Sequence, residues 1–86
     1  MMPDRHPATN ALLPFFDYDH LPPHLQEVSR PIGELAHAML DALDDGPEFT
    51  VGLRKLLEAK DCFVRSAVWQ RREAEEAITD HREDKA

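Results

Sequence analysis

Eighty-six residues is short for a domain, so one small domain with tails is expected. Ten Lys and Arg against 17 Asp and Glu give a formal net charge of −7, which argues against a nucleic-acid polymer or an anionic membrane as partner. No apolar run approaches the roughly 18–20 residues that cross a bilayer, and the single Cys62 excludes an intrachain disulfide framework or a Cys-rich zinc site. The opening Met1-Met2-Pro3-Asp4-Arg5-His6-Pro7 lacks the apolar core of a secretion signal, so a reducing cytoplasm is the expected compartment.

Residues 1–13 hold Pro3, Pro7 and Asn10 and few large apolar groups, and they read as a flexible arm. An aromatic segment follows, Phe15-Phe16-Asp17-Tyr18-Asp19-His20, and then Leu21-Pro22-Pro23. Pro23 suits the first turn of a helix, where its missing N–H costs nothing. From there Leu25, Val28, Ile32, Leu35, Ala36, Met39, Leu40 and Leu43 recur at steps of three, four and one, a helical stripe. Pro31 interrupts it. Either a short helix at 23–29 ends and a second restarts with Ser29 as its N-cap, or one helix continues with a kink near residues 27–31; the kinked single element is favoured.

Asp44-Asp45-Gly46-Pro47-Glu48 is the expected turn, with Asp45 and Glu48 spaced as a capping box. The second stripe is Phe49, Leu53, Leu56, Leu57, Lys60, Phe63, Val64, Ala67 and Val68, with a lysine where an apolar residue is expected. Helix propensity holds to about Ile78. The fold expected is all-α: a long antiparallel helical hairpin over residues 14–78, a kinked first helix, and a frayed charged tail at 79–86. A single helical seam leaves Phe49, Phe63, Trp69 and the Phe15–Tyr18 patch partly uncovered, so assembly into a homo-oligomer is expected.

Little catalytic chemistry is legible. His20 and His24 are separated by Pro22 and Pro23, so they do not share a regular helix face, and a surface pair is the plainer reading than a metal site. Cys62 has no His nearby and reads as a semi-buried structural thiol. The three glycines are isolated, so no phosphate loop is formed. The cations Arg30, Arg54, Lys55, Lys60 and Arg65 carry more information. One reading makes Arg54 and Arg65 a solvated ion-paired face with Glu58 and Asp61, and Lys60 a snorkelling side chain. The other makes an anion pocket where these cations meet Tyr18 and His20, joining π-faces for stacking to Arg forks for phosphate oxygens.

Phe16-x-Tyr18-x-His20, the block Gly33-Glu34-Leu35-Ala36-His37, the Asp-Gly-Pro-Glu turn, and Leu53-Arg54-Lys55-Leu56-Leu57-Glu58-Ala59-Lys60-Asp61-x-x-Val64-Arg65 resemble the phage anti-CBASS and anti-Thoeris hairpin domain over roughly residues 14–69. The resemblance implies a protein that binds cyclic oligonucleotide or cyclic ADP-ribose immune signals in the infected host cytoplasm without cleaving them. It implies no cofactor and no enzymatic activity. It further implies a homo-oligomer, commonly a hexamer, with pockets between protomers. Tyr18 would fall on the base-stacking position, with Phe15 or Phe16 as alternatives, and Arg30 and Arg65 on phosphate-binding positions. His20 and Lys60 complete the expected ligand set with Phe16. A plain helical interaction or adaptor protein is the alternative from a different class.

Overall fold

The computed structural model describes residues 5–85, with side chains through residue 76. Residues 1–4 of the expected arm, and the side chains of the expected tail at 79–86, lie outside the described residues. A single-turn helix α1 (Pro7–Asn10) and a 3₁₀ turn (Leu13–Phe16) precede two long helices, α2 (Pro23–Ala42) and α3 (Pro47–Lys85). Every described element is helical, and the two long helices pack together as an antiparallel hairpin.

Each helix begins where its sequence directs. Pro7, Pro23 and Pro47 all stand in a first turn, where no N–H is needed. His6 caps α1, its Nδ1 accepting from the Ala8 N–H at 3.1 Å. The Pro22-Pro23 lead into α2 is tied down by Gln26, whose Nε2 donates to the Leu21 carbonyl at 2.8 Å. α2 runs unbroken through Pro31, in keeping with the kinked single element, and Ser29 is buried within it rather than capping a second helix. Leu43 then turns extended, ending α2.

The turn differs from the expected capping box. Thr50 N–H donates to the Gly46 carbonyl at 3.0 Å, so the first helical bond of α3 closes on Gly46 and not on Asp45. Asp45 is occupied elsewhere. Its Oδ2 accepts from the His6 N–H at 2.7 Å, its Oδ1 accepts from the Thr9 hydroxyl at 3.2 Å, and Arg5 Nε lies 3.0 Å from Oδ1 as an ion pair.

That anchorage involves residues 5–13 of the segment read from sequence as a flexible arm over 1–13. The segment is docked on the turn end of the hairpin. Arg5 Nη1 and Nη2 donate to the carbonyls of Leu40 and Leu43 at 3.3 and 3.0 Å, meeting orphan acceptors at the end of α2. Its guanidinium also lies over the Phe49 ring, 5.2 Å from the centroid. Thr9, fully buried, is accommodated because its hydroxyl has the Asp45 carboxylate.

The core follows from this docking. Phe16, Ala36 and Leu53 are buried at its centre; Leu12 and Leu13 from the N-terminal segment, Ile32 from α2, and Phe49, Leu56 and Leu57 from α3 pack around them. Burying Phe16 stabilises the fold by about 1.5–3 kcal/mol. One side of the hairpin is thus covered by its own N-terminal segment. α3, with 39 residues against 20 in α2, sets the long dimension of a particle 62 × 24 × 18 Å. Its backbone stays helical through Lys85, across the stretch expected to fray.

Candidate functional site

Asp17 leaves the 3₁₀ turn in extended backbone, and Tyr18 after it lays its ring on α2 at Gly33. A Cβ at residue 33 would stand 3.0 Å from the Phe16 carbonyl oxygen and 3.2 Å from Tyr18 Cδ1 and Cε1. Glycine is therefore what lets the aromatic segment approach the helix so closely. Arg30, just under one turn earlier on α2, brings its guanidinium 5.6 Å from the centre of the Tyr18 ring. Its Nη2 donates to Gln26 Oε1 at 3.2 Å, so it is held from both sides while remaining exposed. Pro31 disfavours helical backbone at residue 30, yet α2 is continuous there and the guanidinium is aimed at Tyr18. Half-buried Tyr18, with the exposed Arg30 guanidinium over its ring, joins an aromatic and a cation at one place, which suits a planar anion.

The other expected ligand residues divide. Phe16 is 2% exposed and belongs to the core; stacking on a ligand would empty the centre of the fold, so the structure corrects its assignment to the site. Its neighbour Phe15 is the outward ring, 60% exposed. His20 is exposed in the turn before α2. Lys60 is largely covered, its side chain 13% exposed, and its Nζ lies 2.8 Å from Asp61 Oδ1. This is the snorkelling geometry, with the charge already paired on its own helix. Arg65 is exposed and donates through Nη2 to Cys62 Sγ at 3.4 Å. Cys62 is itself exposed, correcting the semi-buried reading, because it stands on the side of α3 turned away from the seam.

Electrostatics limit what one copy can hold. Tyr18 is flanked in sequence by the exposed carboxylates Asp17 and Asp19, against one guanidinium at the ring. Among the described residues, no group of three or more His, Cys, Asp and Glu is arranged to hold a metal ion, and no helix is long and apolar enough to cross a membrane. The packing roles of Gly33 and Gln26 and the Arg5–Asp45 clasp were not read from sequence. The glycine beside an aromatic-leading segment was the available signal for the first; the clasp joins residues 40 apart in the chain, and only the fold reveals it.

No family model, curated protein or solved structure matches the chain.

Proposed function

We propose that this chain is a non-enzymatic binding module that sequesters cyclic oligonucleotide immune signals, as a phage anti-defence protein in the cytoplasm of an infected cell. The observation that carries the reading is the Tyr18 ring seated on Gly33 with the Arg30 guanidinium 5.6 Å from its centre. It pairs a stacking face for a base with a fork for a phosphate oxygen. The resemblance of residues 14–69 to the anti-CBASS and anti-Thoeris hairpin domain supplies the ligand class. The carboxylates of Asp17 and Asp19 beside the ring mean that a doubly charged ligand needs further cations, and a pocket shared between protomers is the arrangement that provides them.

A thermal-shift panel of cyclic dinucleotides, cyclic trinucleotides and cyclic ADP-ribose isomers tests this. Ligand at 100 times its Kd adds about 2.7 kcal/mol of stability, a clear upward shift. The shift should shrink clearly in Tyr18→Ala, which weakens binding roughly 10- to 100-fold, and the ligand should be recovered intact after heating. No shift with any member of the panel overturns the ligand class, and a cleaved product overturns the non-enzymatic reading.

A second reading, a helical assembly or adaptor protein without nucleotide, is favoured by one specific observation. The hairpin side away from the N-terminal segment carries an open apolar groove lined by Leu35, Met39, Leu43, Gly52 and Leu56.

A further inference from the structure

That groove opens between α2 and α3 near the turn, and a second, more polar groove lies farther along the hairpin, lined by Val28 from α2 and Ala67 and Arg71 from α3. Helical phase puts both on the side of the hairpin that residues 5–16 leave open. Between them Phe63 projects from α3, 57% exposed. Leu35 and Leu43, on the rim, are 46% and 51% exposed. This is a hole and a knob on one face, separated along one helix.

The face is also self-complementary in order. From the midpoint between Ala59 and Lys60, Leu56 and Phe63 stand at equal distances along α3, then Gly52 and Ala67, then Glu48 and Arg71. Reversing the helix brings large apolar onto large apolar and small onto small; Glu48 and Arg71, about 140° apart in helical phase, flank the strip on opposite sides, so acid reaches base only through the two long side chains.

We propose that this face is the docking surface for a second copy of the same chain, the two α3 helices crossing antiparallel at Ala59 about a two-fold axis. Phe63 of each copy enters the groove at Leu35, Met39 and Leu56 of the other. Gly52 and Ala67 let the backbones approach, and Glu48 of each copy meets Arg71 of the other at both ends. Arg71 sits 3.6 Å from Glu75 in an exposed pair, which an intermolecular carboxylate can replace. The span from Glu48 to Arg71 is about 35 Å and one helix roughly 10 Å across, so the α3–α3 contact alone covers on the order of 350 Å² per copy, and the α2 rims at Leu35 and Met39 must add the rest of the ~800 Å² per partner of a standard interface. A two-fold pairing makes every contact twice from one surface.

The ligand reading also calls for more than one protomer, but this face lies away from Tyr18 and Arg30, and its test uses the full chain without nucleotide. Sedimentation at 150 mM salt should show a dimer, or a larger assembly with an even number of copies, at micromolar protein. Glu48→Arg and Arg71→Glu should each weaken the dimer about tenfold or more, and the combined variant should return to near wild-type affinity. All these side chains are exposed, so circular dichroism should remain helical throughout. Phe63→Ala should give monomer, whereas Trp69→Ala, 64% exposed on another side of α3, should leave the assembly intact. A 9.8 kDa monomer for the wild type overturns the proposal. Failure of the combined charge swap to rescue overturns the antiparallel register, and dissociation by Trp69→Ala with Phe63→Ala neutral moves the interface elsewhere.

Discussion

Arg5 and Gly33 each fix one part of the N-terminal segment, by opposite means. Arg5 supplies donors: its guanidinium serves two carbonyls at the end of α2, the Asp45 carboxylate and the Phe49 ring. Removing it leaves those acceptors unmet, so Arg5→Ala should cost about 1.5–3 kcal/mol in urea unfolding, the scale of hydrogen bonds to a charged group. A cost near zero would mean that water replaces it freely. The same clasp gives a pH dependence. The His6 N–H holds the Asp45 carboxyl below its ordinary value of 3.8, helped by the Thr9 hydroxyl and the Arg5 charge and opposed by partial desolvation. A depressed folded value favours the folded state above 3.8, and that contribution is lost as pH falls through the folded value. Asp45→Asn should flatten the acid limb of stability below pH 4, measured by thermal unfolding across pH. Gly33 supplies space. Gly33→Ala gains about 1 kcal/mol of helix propensity but overpacks against a backbone carbonyl, which costs roughly 1–3 kcal/mol. The limiting neighbour is the Phe16 carbonyl rather than a flexible side-chain end, so net destabilisation and a displaced Tyr18 are expected. A more stable variant would show that the 3₁₀ turn yields without cost.

At the scale of the elements, α2 and α3 were legible because apolar steps of three and four leave little choice but a helix, and because Pro23 and Pro47 mark their starts. The N-terminal segment was not legible. Thr9, Asn10 and Pro7 look like loop residues, and what orders them is a polar clasp to Asp45 that no local pattern encodes. Of the candidate site, the residue types at Tyr18 and Arg30 could be read from sequence. That Phe16 turns inward while Phe15 turns outward depends on the 3₁₀ turn, whose register against Ala36 and Leu53 is a tertiary matter. Pro31 tests how far an element obeys local rules. It removes the N–H that would bond the Glu27 carbonyl, and its ring is exposed, so it contributes little packing. Restoring the bond with Pro31→Ala is worth up to about 3 kcal/mol of helix propensity, less about 0.4–1 kcal/mol from a freer unfolded chain. A net gain of roughly 1–2 kcal/mol in urea unfolding is expected. A loss would mean that the bend at Pro31 is built into the seam between α2 and α3.

For the whole molecule the deciding balance is between a docking face and a net charge of −7. Seven negative units on each of two copies at roughly 20 Å repel by about 10 kcal/mol in salt-free water. With a Debye length near 30 Å at 10 mM salt the repulsion is still roughly 5 kcal/mol; near 8 Å at 150 mM it falls below about 1 kcal/mol. The two Glu48–Arg71 pairs across the interface are exposed and together contribute only about 0.4–2 kcal/mol. Repulsion therefore outweighs pairing at low salt, and the apolar contacts of Phe63 must supply the rest. The assembly should tighten as salt rises from 10 to 150 mM, read as a fall in the dimer Kd by sedimentation. If affinity instead weakens over that range, the paired charges dominate and the apolar fit at Leu56 and Phe63 is poor. Phe63→Asp provides the complementary measurement. The ring is 57% exposed in the single chain, so an aspartate there costs the monomer little, while in the interface it places an unpaired charge in an apolar groove. The variant should stay helical and monomeric at every salt concentration, and its melting temperature should not depend on protein concentration, whereas the wild type's should rise with it.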